Sequence, residues 1–358
     1  MSSTTYGIKY LGSKKKIIPF IEEIVSKLPT HEKTMIDVFT GTTRVAQAFR
    51  QLDYKVTTSD LSYASQCFSA LFIEHPNPKC LKKWIQHLNS IPPCEDWITK
   101  NYCDVKSSNG RNIRVWKPKN GKKADAIRNE IERLYNDLEI SLLDKRALIA
   151  CLILALDKVD NTVGVQQSYL TEWKAQRADH DLKLVLEGSI ENETGEHIRG
   201  SSQDIQYPPA SIAYLDPPYT SHNYGSYYHI WDSIVLWDKP EVGLSTNRRK
   251  DRIFSADGHD EEFVSPWYSP KECKDALKVL IERLPVKFIL LSYNNEGILS
   301  EEDLRTTLFN HGSIKTFWFN EVKYQRNIMA KIGRGAVEDW DKKYNKEFVI
   351  VIEKKNAV

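Results

Sequence analysis

The sequence predicts an α/β fold: an open sheet with helices on both faces, plus a smaller inserted region. Three observations predict it. Residues 34–39 (TMIDVF) are a short apolar run that passes through Thr40-Gly41-Thr42-Thr43 into a helical pattern over residues 45–52. Residues 211–215 (SIAYL) are a second apolar run, stopped abruptly by Asp216-Pro217-Pro218-Tyr219. Residues 288–292 (FILLS) are a third, closed by Tyr293-Asn294-Asn295-Glu296-Gly297. Short apolar runs bounded by turn residues, with amphipathic segments between them, read as buried strands of an α/β sheet.

The bulk properties are compatible with that fold. The 358 residues suffice for one large domain and a smaller one, and 41% hydrophobic with 27% charged residues is a globular composition. A net charge of +2 means that any nucleic-acid reader here must gather its basic residues on one face. Six cysteines (67, 80, 94, 103, 151, 273) show no CxxC spacing, so neither a metal site nor a disulfide framework is expected. They read as reduced thiols of a cytoplasmic protein. The opening Met-Ser-Ser-Thr-Thr lacks the order of a signal peptide, and the apolar run 147–156 is too short to span a bilayer.

Taken in order, residues 8–16 (IKYLGSKKK) place a Gly-Ser loop before three lysines and an amphipathic helix (Ile17, Ile18, Phe20, Ile21, Ile24, Leu28). The lysines form either a solvated face or a cationic group within reach of a carboxylate or phosphates. The run 34–39 carries one acid, Asp37, and its turn exposes backbone amides at a helix N-terminus. Only Gly41 is present, so the GxGxxG fingerprint of a pyrophosphate-cradling nicotinamide site is missing. Residues 55–59 form the next strand and end at Asp60. An acid about 20 residues beyond the turn accepts from ribose hydroxyls in such folds. Asp60 also fits the N-cap of a helix over residues 61–75.

Pro76 and Pro78 then interrupt the pattern, which stays irregular to about residue 125. Residues 106–123 carry Lys106, Arg111, Arg114, Lys117, Lys119, Lys122 and Lys123, no acid, and Trp116. That composition suits phosphate and base-edge contacts, or a solvated basic loop. Residues 126–138 read as a charged amphipathic helix and 145–159 as a helix buried in the core. Residues 183–189 and 196–200 read as strands around an Asn/Gly turn. Asp204 follows, in a loop at the sheet edge. Beyond Tyr219 lie His222, Asn223, Tyr224, Tyr227, Tyr228, His229 and Trp231, a density of rings expected to line a base pocket. Residues 239–270 are polar and irregular and include Arg248, Arg249, Lys250 and Arg252, a second candidate for phosphate contact. Residues 271–284 read as a helix. Residues 315–322 and 348–353 read as strands around the basic segment 323–334.

The elbow at Asp216 carries the chemistry. Two adjacent prolines cannot donate to a sheet or continue as a helix, so the chain turns rigidly at the end of a strand, where α/β sheets bind ligands. A carboxylate and a backbone carbonyl are both pure acceptors. Together they can hold both hydrogens of an –NH2 group and leave its lone pair free, while Tyr219 offers a face for stacking. This fits methyl transfer to the exocyclic amine of a flipped nucleobase. The bland alternative is a surface Asp-Pro turn.

These pieces resemble the S-adenosylmethionine-dependent DNA adenine methyltransferases of class alpha, in the Dam-like order. IKYLGSKKKIIPFI looks like the N-terminal motif, IDVFTGTTRVAQAF like the cofactor loop, TSDLS like the acidic strand end and LDPPYTSHNYGSYYHIWDSI like the catalytic motif. LLSYNNEGIL resembles the later core strand and loop. The resemblance covers nearly the whole chain except about 80–140 and 240–270. It implies a Rossmann-like methyltransferase sheet, with a catalytic domain over 1–75 and 141–358. Residues 76–140 would be an inserted, helical, basic target-recognition region, with 240–270 a second candidate.

By the same resemblance, Tyr10 and Lys14 border the cofactor, Asp37, Phe39 and Gly41 surround its methionine end, Asp60 holds its ribose and Asp204 faces its adenine. Asp216 also counts among the cofactor-binding residues; with the Pro217 carbonyl it takes the target amine, and Tyr219 stacks on the base. Gly-Thr-Thr stands where many members have a second glycine, and Tyr10 where tryptophan is common. The candidate DNA contacts are Arg111, Arg114, Lys117, Lys119, Lys122, Lys123, Arg248 and Arg249. The expected activity is methylation of adenine N6 in a specific double-stranded DNA sequence, by a bacterial cytoplasmic monomer or weak dimer, with a restriction endonuclease as a separate companion. The rivals are methylation of cytosine or RNA amines and a DNA-binding relative without catalysis. A nicotinamide-dependent oxidoreductase is a distant third.

Overall fold

In the computed structural model, residues 3–74, 76–166, 168–188, 194–219, 224–243, 247–250, 265–325 and 344–355 are described. The chain begins as an extended segment and a short 3-10 turn, Lys14–Lys16, that feeds α1 (Ile18–Ser26). Pro19 sits in the first turn of α1, where its missing N–H costs nothing. Then follow β1 (Thr34–Asp37), α2 (Arg44–Gln51), β2 (Lys55–Asp60) and α3 (Tyr63–Phe72). A helical stretch comes next: α4 (Pro78–Ser90), α5 (Trp97–Tyr102), a hairpin of β3 (Cys103–Lys106) and β4 (Asn112–Arg114), α6 (Pro118–Asn136) and α7 (Leu142–Lys158). A capping box between Ser141 and Asp144 starts α7. A small ribbon of β5 (Thr162–Val165) and β6 (Ser168–Tyr169) precedes β7 (Glu196–Arg199), β8 (Ala210–Leu215), α8 (Tyr224–Tyr227) and α9 (His229–Leu236). A second ribbon, β9 (Val242–Gly243) with β10 (Arg248–Arg249), leads to α10 (Cys273–Arg283), β11 (Val286–Asn294), α11 (Glu301–Phe309), β12 (Ile314–Gln325) and β13 (Tyr344–Lys354).

The central sheet has the order β12-β13-β11-β8-β1-β2-β7. Strands β11, β8, β1, β2 and β7 run parallel, and β13 and β12 close the other side as antiparallel neighbours. The chain leaves β1 toward β2 on one side and later returns as β8 on the other. The crevice between β1 and β8 is therefore a topological switch point, the place such sheets bind ligands. The register Asp37↔Tyr214 brings the end of β1 level with the end of β8. Alternate residues of each strand feed two cores: Met35, Tyr214 and Leu290 on one face, and Ile36, Ala213, Leu215, Ile289 and Leu291 on the other. Both faces are covered, so the strands read as continuous apolar runs.

Several expectations change. Residues 183–188 form no strand, because the Asn89 side chain substitutes for a neighbour: its Oδ1 accepts from Leu184 N at 2.9 Å and its Nδ2 donates to Leu184 O at 2.9 Å. Residues 103–114, read as irregular, form the β3–β4 hairpin. Helix α6 starts at Pro118 and so absorbs much of the basic stretch. Gly121 inside α6 lets the helix approach the hairpin, since a Cβ there would lie 2.2 Å from Cys103 Sγ. Within residues 76–140, Trp84, Trp97, Tyr102, Ile113, Trp116, Ile127 and Ile131 join the same apolar cluster as α7. Thr220 to Asn223, the stretch 251–264 and the basic segment 326–334 lie outside the described residues, and with them His222, Asn223 and Arg252.

Candidate active site

The turn after β1 is built by short hydrogen bonds. Thr40 N donates to Ser59 O at 3.0 Å and Thr43 N to Thr40 O at 2.7 Å. Gly41 (φ 50°) and Thr43 (φ 59°) both adopt left-handed backbone. Asp60 ties the turn to β2: its Oδ2 accepts from Gly41 N at 2.8 Å and its Oδ1 from Ser62 N at 2.9 Å. The N-cap of α3 is Ser62, whose Oγ accepts from Ala64 N and Ser65 N, and not Asp60. Burial raises the Asp60 pKa, against the pull of the Ser62 and Gly41 amides.

Asp37 lies at the floor of the turn, 1% exposed. Thr40 Oγ1 donates to its Oδ2 at 2.8 Å, but among the described residues its Oδ1 has no hydrogen-bond partner of normal geometry. Burial pushes its pKa up to about 7, with the Asp216 and Asp60 charges adding to the rise and the Thr40 hydroxyl opposing it. An unpartnered buried carboxylate oxygen is costly, and at a cavity wall it is open to a donor from a ligand.

The elbow closes the other wall. Lys14 Nζ lies 3.0 Å from Asp216 Oδ1 and 2.8 Å from Glu347 Oε1. Burial raises the Asp216 carboxyl to about 7, with Lys14 lowering it and Glu347 raising it. Burial works against the Lys14 charge, but Asp216, Tyr219 and Glu347 outweigh it and hold the ammonium protonated. Lys14 also sits 5.1 Å from the Tyr219 ring centroid. Tyr219 packs edge-on to Tyr293 at 6.1 Å, and its carbonyl accepts from Ile298 N at 2.9 Å, so the loop after β11 braces the elbow.

Gly12 is required for this packing. It adopts φ +75°, and a Cβ there would lie 2.4 Å from the Tyr219 hydroxyl. Gly12→Ala is expected to destabilise the fold by about 1–3 kcal/mol through left-handed strain and displacement of Tyr219. In a Tyr219→Phe background, which deletes the hydroxyl, part of that loss returns. A double-mutant cycle by denaturant unfolding checks it: equal losses in both backgrounds would remove the clash from the account.

All the expected cofactor and catalytic residues line one cavity of about 420 Å³: Tyr10, Lys14, Asp37, Phe39, Gly41, Asp60, Asp204, Asp216, Pro217 and Tyr219. Tyr10 stacks on Tyr228 at 4.5 Å and leans on Tyr224 at 5.7 Å. The segment that carries it is strapped across α2. Gln47 bonds both the N and O of Tyr6, and Arg44 donates to Thr5 O and Gly7 O. Trp267 and Tyr268, from a stretch read only as polar and irregular, also line the cavity. Trp267 packs edge-on to Phe39 at 5.1 Å and donates Nε1–H to Ser202 Oγ at 3.0 Å. Of the ring-rich run after the elbow, Tyr224 reaches the cavity. Tyr228 and Trp231 line a smaller pocket that adjoins it at Tyr10, Gly41, Asp60 and Tyr224, while His229 is buried and burial holds its imidazole neutral, its pKa near 3.

The basic candidates are less uniform. Arg111 is exposed at the hairpin turn. Arg114 pairs with Asp104 at 2.5 Å, Lys117 with Asp179 at 3.3 Å, Lys119 with Asp181 at 2.5 Å and Lys122 with Glu95 at 3.1 Å. Lys123 donates to the carbonyls of Asn89 and Ile91. Arg248 is half-buried on β10. Two expectations fail outright. Trp116 is fully buried and donates to Leu156 O at 3.0 Å, so it offers no ring to a base. Arg249 is 2% exposed and committed to Asp238 at 2.5 and 3.1 Å, so it faces no phosphate.

A family model described as D12 class N6 adenine-specific DNA methyltransferase matches residues 10–307. The Modification methylase StsI of Streptococcus sanguinis is 29% identical over 314 residues, which cover 84% of this chain and 46% of that protein. The Type II methyltransferase M.FokI of Planomicrobium okeanokoites is 28% identical over 335 residues, covering 89% and 49%. The Type II methyltransferase M.NlaIII of Neisseria lactamica is 30% identical over 312 residues, covering 83% and 86%. The chain thus spans about half the length of StsI and M.FokI and most of M.NlaIII. A model match over this much of the sequence places the chain in the D12 class of N6 adenine-specific DNA methyltransferases.

Proposed function

We propose that the chain transfers a methyl group from S-adenosylmethionine to the N6 amine of an adenine in a specific double-stranded DNA sequence, with the base turned out of the helix. The observation that carries this reading is that the Asp216 elbow and the turn around Gly41 open into one cavity. The cavity is acid-rich, and among the described residues one of its buried carboxylate oxygens, Asp37 Oδ1, lacks a donor of normal geometry. That donor set suits a cationic, hydroxyl-bearing nucleoside. Asp37, Phe39 and Gly41 would hold its amino-acid end, Asp60 its ribose hydroxyls and Asp204 its adenine, with Tyr10 and Lys14 at the border. When bound, S-adenosylmethionine supplies a sulfonium methyl electrophilic enough to need no metal and no covalent enzyme intermediate.

The chain's own residues deal with the amine. Adenine's amine is a weak nucleophile because its lone pair is conjugated with the ring. Lys14 holds Asp216 Oδ1 by an ion pair, which leaves Oδ2 for the substrate. Oδ2 and the Pro217 carbonyl accept the two amine hydrogens, favour the tetrahedral nitrogen and stabilise the positive charge that grows on it. The amine nitrogen then sheds one proton, and a carboxylate poised at about 7 is matched to take it near neutral pH. Stacking on Tyr219, worth about 1–3 kcal/mol, offsets the few kcal/mol that unstacking the base costs.

The region 76–140 is assigned to target recognition, through the β3–β4 hairpin and its exposed Arg111, and the rest of the chain to catalysis. Residues 240–270 remain the second candidate, with Arg248 but without Arg249. Acting as a modification enzyme in the bacterial cytoplasm, the protein would protect host DNA from a separate endonuclease. The test is mass analysis of nucleosides after incubating the protein, labelled S-adenosylmethionine and unmethylated genomic DNA. N6-methyladenosine as the deoxynucleoside is expected. Methylcytosine, or label only in RNA, would replace the reading.

A further inference from the structure

Lys14 is held by two acids, and only one of them belongs to the elbow. The other, Glu347, comes from β13, outside the residues 10–307 that the family model matches. It is fully buried, next to the apolar run Phe348 to Ile352. An ionised carboxylate in such a place is strongly unfavourable unless it is paired and hydrogen-bonded. Here it has both. Its Oε1 lies 2.8 Å from Lys14 Nζ and accepts from Ser292 Oγ at 2.8 Å. Ser292 is on the neighbouring strand β11, and β13 is an interior strand flanked by β11 and β12. The carboxylate therefore has little room to move.

Resting on the function proposed above, we infer that Glu347 is a positioning residue: it fixes the Lys14 ammonium against Asp216 Oδ1 and thereby keeps Oδ2 directed at the target amine. Without a counter-acid, the lysine charge falls wholly on Asp216 and weakens it as an acceptor. With Glu347 present, the ammonium is shared and Asp216 keeps its proton affinity. Among the described residues, the charged and titratable groups facing Asp216 are Lys14 from the 3-10 turn, Glu347 from β13, Asp37 from β1, Tyr214 from β8, and Tyr219 and Tyr224 beyond the elbow. Only Lys14 is cationic among them. Removing Glu347's charge thus leaves the attraction to Lys14 less opposed, and Asp216 becomes more acidic.

Glu347→Gln tests this, since the amide keeps the shape and an acceptor oxygen but not the charge. The assay follows label from S-adenosylmethionine into unmethylated genomic DNA across pH 5.5 to 9, with donor affinity measured separately by calorimetry. In the variant, the acid limb of kcat/KM should move down by about one pH unit. Its kcat on the plateau should fall about tenfold or more, because a weaker base takes the proton less readily. Donor affinity should stay within about threefold. Glu347→Asp keeps the charge, so the acid limb returns to its wild-type position, while kcat stays at least about fivefold low because the carboxylate is withdrawn from Lys14.

If Glu347→Gln fails to fold, the Glu347→Asp result decides, and a wild-type kcat there overturns the inference. A Glu347→Gln protein with the wild-type pH profile and kcat, merely melting earlier, shows a structural ion pair and overturns it too. A wild-type protein that does not methylate adenine removes the functional reading and this inference together. A wild-type protein that does, beside an indistinguishable variant, removes the inference alone.

Discussion

Asp216→Ala is expected to lower methyl transfer to adenine by at least about 10³-fold while leaving the fold intact. Two losses add. The amine loses an ionised acceptor that matters most as its nitrogen becomes tetrahedral, and it loses the group that takes its proton. Binding of S-adenosylmethionine should be weakened but not lost, because Asp37 and Asp60 remain. The fold should survive for a reason visible in the site: Lys14 keeps Glu347 at 2.8 Å, so no buried charge is stranded. Removing Asp216 also removes a carboxylate that burial already holds up at about 7. Labelled-methyl incorporation with a thermal melt of the same sample checks both halves. Turnover within tenfold of wild type would end the role assigned to Asp216.

Asp37→Asn should move stability and donor affinity in opposite directions. The folded Asp37 carboxyl is held up at about 7, above its ordinary value of 3.8. Between those two pH values the native state binds more protons than the unfolded chain, so this group's contribution to stability falls as pH rises through that window. An amide does not titrate there. The variant should lose that part of the slope and, at pH 8, be more stable by on the order of 2 kcal/mol, since each unit is worth about 1.4 kcal/mol and Thr40 loses a charged acceptor. The same change removes a charge-assisted partner for the donor's ammonium, so affinity for S-adenosylmethionine should drop about tenfold to a hundredfold. Denaturant melts at pH 6 and 8 with titration calorimetry at pH 8 measure both. A variant that is weaker at pH 8 yet binds the donor normally would contradict the assignment of Asp37.

Much of the site is legible in the sequence because ligand groups in α/β sheets cluster at strand ends, where a short run of residues carries both a strand and its turn. Asp37 with Gly41, and Leu215 with the elbow, are such runs. Glu347 was not legible. Its partner Lys14 is remote in sequence, and nothing in an apolar run preceded by an acid says which cation it will meet. The basic stretch misleads in the opposite way. Trp116 looks like an aromatic among cations, but it follows Ile113 and Val115 into the core, and its basic neighbours Lys117 and Lys119 pair with Asp179 and Asp181, some sixty residues on. Residues 183–188 have strand composition, yet a strand needs a partner, and Asn89 satisfies Leu184 instead. Each of these outcomes depends on contacts between distant segments, which local pattern does not encode.

The place of β13 also bears on how a cell makes this protein. Until residues 344–354 are synthesised, β11 presents the backbone of Phe288 to Asn294 along an unfilled edge beside an apolar face. Such an edge favours pairing with another chain over productive folding. A prematurely released translation product would therefore be disposed to aggregate and be cleared, not to persist half-folded.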